Sequence, residues 1–236
     1  MTTFAMVHGA WAGAWCWEPV APHLEARGDR VLAVDLPCEN QRATFDTYAD
    51  FVVRALDEAL VDDVVLVGHS LGGQTIPLVA ARRPVQRLVY LGAFVPIPGR
   101  SFAEQLEAEP DSLLPEYLSG TSEPDGRGCT RWVDPEVARR ALWADAEDEE
   151  AGAAFERLRP QATTPFAVPN PLPELPAVPS TYVVCSEDGI ANPDRGRKVA
   201  RERLGTEAIE LPGSHCPFLS RPRELSALLH ELGAAV

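Results

Sequence analysis

Apolar residues along this chain gather in short continuous runs separated by stretches of helical spacing. The runs lie at residues 4–8, 30–35 (Arg30-Val31-Leu32-Ala33-Val34-Asp35), 64–68, 87–92, 181–185 and 207–211. A strand that is apolar at every position, rather than at every second one, is buried on both faces, as the strands of a parallel sheet are. Between the runs the period changes. Phe45, Tyr48, Phe51, Val52, Ala55 and Leu56 fall on one helical face within residues 44–60. Further helices are predicted over residues 16–27, 71–82, 193–204 and 222–232, each bounded by proline or glycine. Strand and helix therefore alternate three times before a fourth strand, the signature of an α/β fold with a doubly wound, mainly parallel six-stranded sheet. At Val95-Pro96-Ile97-Pro98-Gly99 the alternation stops, and it resumes only with Thr181. Residues 1–99 and 180–236 are expected to form the core. Residues 100–179, rich in proline, with helical fragments and few strand signals, are expected to form an inserted, mostly helical cap. Its proline-rich end, 165–179, reads as an ordered return linker.

Composition narrows the class without changing the fold. The 236 residues suffice for one well-buried domain with an insertion. With 35 acidic against 21 basic residues, the formal charge of -14 repels phosphate backbones and anionic membrane surfaces, so neither nucleic acid nor membrane is an expected partner. The acidic run Asp145-Ala146-Glu147-Asp148-Glu149-Glu150 is expected to be a solvated helix face. Cys16, Cys38, Cys129, Cys185 and Cys216 are odd in number and lack metal-ligand spacing, which predicts free thiols and no metal site. The chain opens directly into a core strand, without a charged segment followed by a long apolar run; the expected location is cytoplasmic.

The chemistry is concentrated at strand ends. In open parallel sheets ligands bind at the carboxyl ends of the strands. Val64-Val65-Leu66-Val67-Gly68-His69-Ser70-Leu71-Gly72-Gly73 is an apolar strand running into a serine with glycine two residues to either side. This spacing suits a sharp strand-to-helix turn that lifts a serine hydroxyl above the sheet. Ser186-Glu187-Asp188 follows a later strand and Gly213-Ser214-His215-Cys216 the last, giving the order serine, acid, histidine. A serine hydroxyl needs an imidazole to accept its proton and a carboxylate to orient that imidazole. His215 is the candidate base. Among the carboxylates, Asp188 and Glu187 compete, with Asp194 further away, and the turn just beyond Cys185 favours Asp188. His8, His69, His23 and His230 are read as structural, and Asp35 as a turn residue. The amides of Ala10, in the small-residue loop after the first strand, and Leu71, next to the nucleophile, are the candidate oxyanion donors.

His8-Gly9-Ala10-Trp11 with Trp15-Cys16-Trp17, the Gly-His-Ser-Leu-Gly-Gly turn, Cys185-Ser186-Glu187-Asp188-Gly189-Ile190 and Gly213-Ser214-His215 together resemble the α/β-hydrolase superfamily over nearly the whole chain. They are similar to the branch that holds plant methylesterases, the salicylic-acid-binding esterase, hydroxynitrile lyases and bacterial pyrethroid-type carboxylesterases. The resemblance implies a core lacking the first two of the usual eight strands, and a cofactor-independent ester hydrolase. The lyases supply the rival reading, since they use the same triad as acid and base on a cyanohydrin. As a family pattern they carry threonine where this chain has Gly9, and lysine where it has Cys216; both departures favour acyl transfer. A ligand receptor with slow turnover on the same fold is the third reading.

Leu106, Leu113, Leu114, Tyr117, Leu118, Trp132, Leu142, Trp143 and Phe166 give the insertion many apolar side chains and fit a small or medium hydrophobic or aromatic ester, with water as second substrate. Trp11 and Phe218, which flank the catalytic loops, and Trp132 and Trp143 from the insertion are the candidate substrate contacts. Arg127, Arg131, Arg139, Arg140, Arg157 and Arg159 are interleaved with acids and read as surface salt links. A homodimer is compatible with this sequence.

Overall fold

The computed structural model describes residues 1–235. Six parallel strands form one sheet: β1 (Thr3–Val7), β2 (Arg30–Val34), β3 (Val64–His69), β4 (Arg87–Leu91), and, after two short cap strands, β7 (Ser180–Cys185) and β8 (Ile209–Leu211), in the order β2-β1-β3-β4-β7-β8. From β1 the chain steps outward to β2, then crosses back to β3 and continues the other way. The reversal falls at the carboxyl ends of β1 and β3, where open parallel sheets bind ligands and where the chain continues as the His8–Gly9 loop and as Ser70.

The continuous apolar runs fill two layers. Ala5 and Val7, Val64 and Leu66, Leu88 and Tyr90, Tyr182 and Val184 face one side, against Tyr48, Val52 and Leu56 of α2 (Phe45–Glu58), Ile76 and Val79 of α3 (Ile76–Ala80), and Val199 of α8 (Pro193–Leu204). Phe4 and Met6, Val65 and Val67, Val89 and Leu91, Val183 and Cys185 face the other, against Trp17, Leu24 of α1 (Ala21–Glu25), and Leu225 and Leu229 of α10 (Pro222–Ala234), which follows the one-turn helix α9 (Pro217–Ser220). A strand with both faces covered has no polar position to spare, which is why these segments do not alternate.

Helix ends follow local chemistry. Thr44 caps α2 by accepting from the Thr47 N–H at 3.2 Å, and the Thr47 hydroxyl accepts from the Thr44 N–H at 3.2 Å. α8 ends at Gly205, which takes the left-handed φ of 66°. Two expected helices are broken. Residues 16–27 divide into a 3₁₀ turn (Ala14–Trp17) and α1, around Pro19 and Pro22. Residues 71–82 divide into a 3₁₀ turn (Ser70–Gln74) and α3. Proline has no N–H to donate to the preceding turn and crowds its carbonyl, so Pro77 cannot extend an α-helix back through Gly73.

Between β4 and β7 lie α4 (Phe102–Ala108), a 3₁₀ turn (Pro115–Gly120), β5 (Cys129–Thr130), α5 (Pro135–Leu142), α6 (Asp148–Glu156), β6 (Gln161–Ala162) and α7 (Thr164–Ala167). The antiparallel β5–β6 pair was not expected from the sequence; two residues per strand are too few to show a period. The ends of this segment meet. Gly99 N–H donates to Asn170 O at 3.1 Å and Asn170 N–H to Arg100 O at 2.9 Å. Buried Asn170 and Leu172 hold the proline-rich return in place. No helix among the described residues is long and apolar enough to cross a membrane.

Leu66 is fully buried at the centre of the sheet, while Leu118 is 57% exposed. Leu66→Ala is expected to cost about 2–5 kcal/mol in urea unfolding, and Leu118→Ala no more than about 0.5 kcal/mol. Equal costs would contradict the assignment of the core.

Candidate active site

The turn at Ser70 is held by contact between backbones. Ser70 takes φ 50°, a left-handed conformation that a non-glycine residue adopts only under constraint. A Cβ on Gly72 would stand 2.6 Å from Val7 O, and one on Gly68 2.9 Å from the Gly72 carbonyl. Strand, turn and following helix can close this far only with glycine at both positions. Leu71 is the second residue of the helical segment, so its N–H has no carbonyl within that segment to reach.

His215 and Asp188 meet at the neighbouring strand ends. Asp188 Oδ2 lies 2.8 Å from His215 Nδ1, and Asp188 Oδ1 accepts from the Ile190 and Ala191 amides, each at 2.8 Å. The carboxylate face of this pair is an acceptor, so Nδ1 carries the imidazole proton and Nε2 is left as the basic nitrogen. Ser70, His215 and Asp188 are all buried, at 7%, 2% and 5% exposure. Of the competing carboxylates, Glu187 is exposed and Asp194 pairs with Arg197 at 2.7 Å; neither contacts His215. His69 ties the two loops together: its Nε2 donates to His215 O at 2.9 Å, and the rings lie 4.6 Å apart.

The loop after β1 approaches Ser70 closely. A Cβ at Gly9 would fall 2.8 Å from Ser70 Cβ, so a threonine there would displace the serine. Cys216 is buried, burial raises its thiol pKa well above the ordinary value, and its N–H donates to Leu142 O at 3.1 Å. This neutral group replaces the lysine of the lyase pattern.

The four candidate substrate contacts separate into two kinds. Trp11, at φ 58°, is partly exposed, donates from Nε1 to Thr130 Oγ1 at 3.0 Å, and stands edge-on to Trp132 and Tyr117, with centroids 5.8 and 6.4 Å away. Trp143 and Phe218 are 2% exposed. Phe218 packs against Trp17 and edge-on to His69, at 5.3 and 5.0 Å, behind the site. Trp143 sits in the same apolar layer as Cys216 and Leu142.

Sequence reasoning missed the residues that brace the loops. Asp145 is not part of a solvated face. It accepts from the Ser214 hydroxyl, from Ser214 N–H at 3.3 Å and from Arg221 Nε at 3.1 Å, holding the loop that carries His215; Asp148 to Glu150, in the first turn of α6, are exposed as expected. Arg159 forms the expected salt links, with Asp35 at 2.8 Å and Glu39 at 3.1 Å, but its main-chain N–H also donates to Trp11 O at 2.7 Å. Gln74 donates to Phe94 O at 3.0 Å and to Gln105 Oε1 at 3.1 Å, linking the 3₁₀ turn that begins at Ser70 to α4. Gln74 and Gln105 are both buried, and a buried amide needs partners, which here are each other and loop carbonyls; nothing in the sequence marks either glutamine as buried. All five cysteines are buried free thiols. Among the described residues no group of three or more His, Cys, Asp or Glu side chains is arranged to hold a metal ion.

A doubly wound parallel sheet that presents serine, aspartate and histidine in this order on its strand-end loops defines the class as an α/β hydrolase. The chain belongs to the alpha/beta hydrolase family, whose model matches residues 4–228. It is 30% identical over 243 residues to Methylesterase 2 of Arabidopsis thaliana, covering 94% of this chain and 92% of that protein. It is 31% identical over 255 residues to the pyrethroid hydrolase of Sphingobium wenxiniae, covering 100% and 89%. The crystal structure of a pyrethroid hydrolase from Sphingobium faniae superposes with a TM-score of 0.81 at 27% identity, covering 99% of this chain and 98% of that one.

Burial gives the site a pH signature. Burial, the largest influence on His8, drives its pKa from 6.5 down to about 4. His69 is pushed well below its ordinary value by burial and then by His215. A histidine kept neutral in the folded state takes up a proton on unfolding, so its stabilising effect is complete above about pH 6.5 and is lost as pH falls towards 4. Between pH 7 and 5 the His8 contribution falls by about 2 kcal/mol. Urea unfolding at the two pH values should therefore show a smaller pH dependence in His8→Asn than in the wild type; an unchanged dependence would refute the assignment to His8.

Proposed function

We propose that this protein is a carboxylesterase in which Ser70 attacks an ester carbonyl, His215 moves the proton and Asp188 orients His215. The 2.8 Å Asp188–His215 pair, beside a serine held at left-handed φ in the strand-end crevice, carries this reading. His215 Nε2 takes the Ser70 proton as the Ser70 Oγ–carbonyl bond forms. It then returns that proton to the departing alcohol, leaving an acyl-enzyme. Water, deprotonated by the same nitrogen, releases the acid. The Ala10 and Leu71 amides stabilise the oxyanion that develops in each step.

Hydrolysis is favoured over cyanohydrin cleavage by the closeness of Gly9 to Ser70 and by the neutral, buried Cys216. The relatives named methylesterase and pyrethroid hydrolase support an ester substrate. Residues 100–179 act as a cap over the crevice. Trp11, Trp132 and Tyr117 form an aromatic wall next to the oxyanion loop, suited to a small or medium hydrophobic or aromatic ester, whereas Trp143 and Phe218 support the loops from behind. The buried free thiols fit a reducing compartment such as the cytoplasm.

A p-nitrophenyl ester panel, fluorophosphonate labelling read by mass spectrometry and a mandelonitrile cleavage assay test the proposal together. Label on Ser70 with ester turnover is expected. Cyanide release with little ester turnover would replace the esterase with a lyase, and labelling with neither activity would replace it with a receptor. Ser70→Ala should lower kcat about 10⁶-fold, the scale seen when a serine-hydrolase nucleophile is removed. Asp188→Asn should lower it about 10⁴-fold by fixing the wrong imidazole tautomer. A larger loss from Glu187→Gln would show that the acid is misassigned.

A further inference from the structure

The imidazole of His8 lies outside the triad and makes two hydrogen bonds that together fix its tautomer. The Leu36 N–H, in the loop after β2, donates to His8 Nε2 at 3.0 Å. Nε2 is therefore the unprotonated nitrogen, and the single ring proton sits on Nδ1, which donates to Gly9 O at 2.8 Å. His8 is 1% exposed, and burial favours the neutral ring that this pattern requires.

The carbonyl that His8 holds belongs to a peptide unit with a further role. Gly9 C=O and Ala10 N–H share one planar trans peptide and point in opposite directions, so fixing the carbonyl also fixes the amide. Gly9 has no side chain to limit rotation of that unit, and its position against Ser70 leaves no room for one. The far side of the loop is held as well: Trp11 O accepts the Arg159 N–H at 2.7 Å, and Arg159 Nη2 donates to Leu36 O at 3.3 Å, on the residue that anchors His8.

We propose that His8 is a positioning residue that aims the Ala10 amide into the oxyanion hole, by donating from Nδ1 to Gly9 O while Leu36 N–H locks the tautomer. The proposal rests on the reading of Ala10 as an oxyanion donor. It makes His8 a contributor to transition-state stabilisation that does not touch the substrate. An amide pre-aimed in this way pays no reorientation cost when charge develops on the carbonyl oxygen.

Two amide substitutions separate the two hydrogen bonds. Asparagine places its side-chain NH₂ near the position of Nδ1 and keeps the Gly9 contact. Glutamine places its amide oxygen near Nε2 and keeps the Leu36 contact, but has no donor for Gly9 O. His8→Gln should lower kcat about 10- to 100-fold with KM within about twofold, the range expected for a misaimed oxyanion donor. It should weaken a trifluoromethyl ketone by a similar factor. That inhibitor adds the Ser70 oxygen to its carbonyl carbon while the serine proton passes to His215, and so forms the tetrahedral oxyanion. His8→Asn should restore most of both losses. Wild-type kcat and ketone affinity in His8→Gln, or equal losses in the two variants, would overturn the proposal. Nitrogen-15 NMR of the His8 ring in the wild-type protein needs no variant: an Nδ1–H tautomer is expected, and an Nε2–H tautomer would overturn it. The ketone also tests the underlying reading separately. If it binds wild type and Ser70→Ala equally, the proposed hydrolytic site fails; if it requires Ser70 but ignores His8→Gln, only the role of His8 fails.

Discussion

The close approach of two backbones at the carboxyl end of the sheet is the constraint on which the rest of the structure depends. The helix after β3 presses against the end of β1 so tightly that a single methyl group on Gly72 would stand 2.6 Å from Val7 O. This contact forces Ser70 into its left-handed turn and brings the Gly9 loop against the serine. It also places the hydroxyl at the point where the strand order reverses, the crevice that open parallel sheets offer to ligands. The two apolar layers beneath supply the rigidity that keeps a strained serine from relaxing.

The segment between β4 and β7 is fastened to the loops of the site by hydrogen bonds. Arg159 holds the main chain of Trp11 and the residues after β2. Leu142 O and Asp145 hold Ser214 and Cys216, on either side of His215. Gln105 meets Gln74 on the 3₁₀ turn that begins at Ser70. An amide or imidazole kept in place by several hydrogen bonds needs little reorganisation when charge appears, and in a buried site that pre-organisation is worth more than it would be in water. The same contacts connect the cluster of Trp11, Trp132 and Tyr117 to the loop after β1, so this aromatic cluster is mechanically continuous with the loop that approaches Ser70.

Strand positions, the parallel sheet and the break in the alternation between β4 and β7 were legible in the sequence, because each is written in contiguous residues. Continuous apolar runs mark strands covered on both faces. Glycine two residues either side of Ser70 marks a turn closed by backbone contact, and Ser70, Asp188 and His215 all lie in the segments that follow strands. At Gly9 and Cys216 the sequence shows no side chain and no charge, and the structure leaves no room for a side chain at the first and buries the second. Helix interruptions at Pro19, Pro22 and Pro77 were understated, because helical spacing persists across a break that a missing N–H imposes.

Contacts between distant residues were decided only by the tertiary structure. Asp188 and Glu187 are neighbours of the same chemical type, and only the way the chain turns after β7 buries one against His215 and leaves the other in solvent. Trp11 and Phe218 both flank site loops, yet one lines an aromatic wall and the other packs behind His69. Arg159 reaches Asp35 across 124 positions and Asp145 reaches Ser214 across 69, separations over which composition and period carry no information. The tautomer of His8 is the finest case. The sequence places a histidine before Gly9, but the imidazole proton is fixed by the Leu36 amide, which only the pairing of β1 with β2 brings within reach.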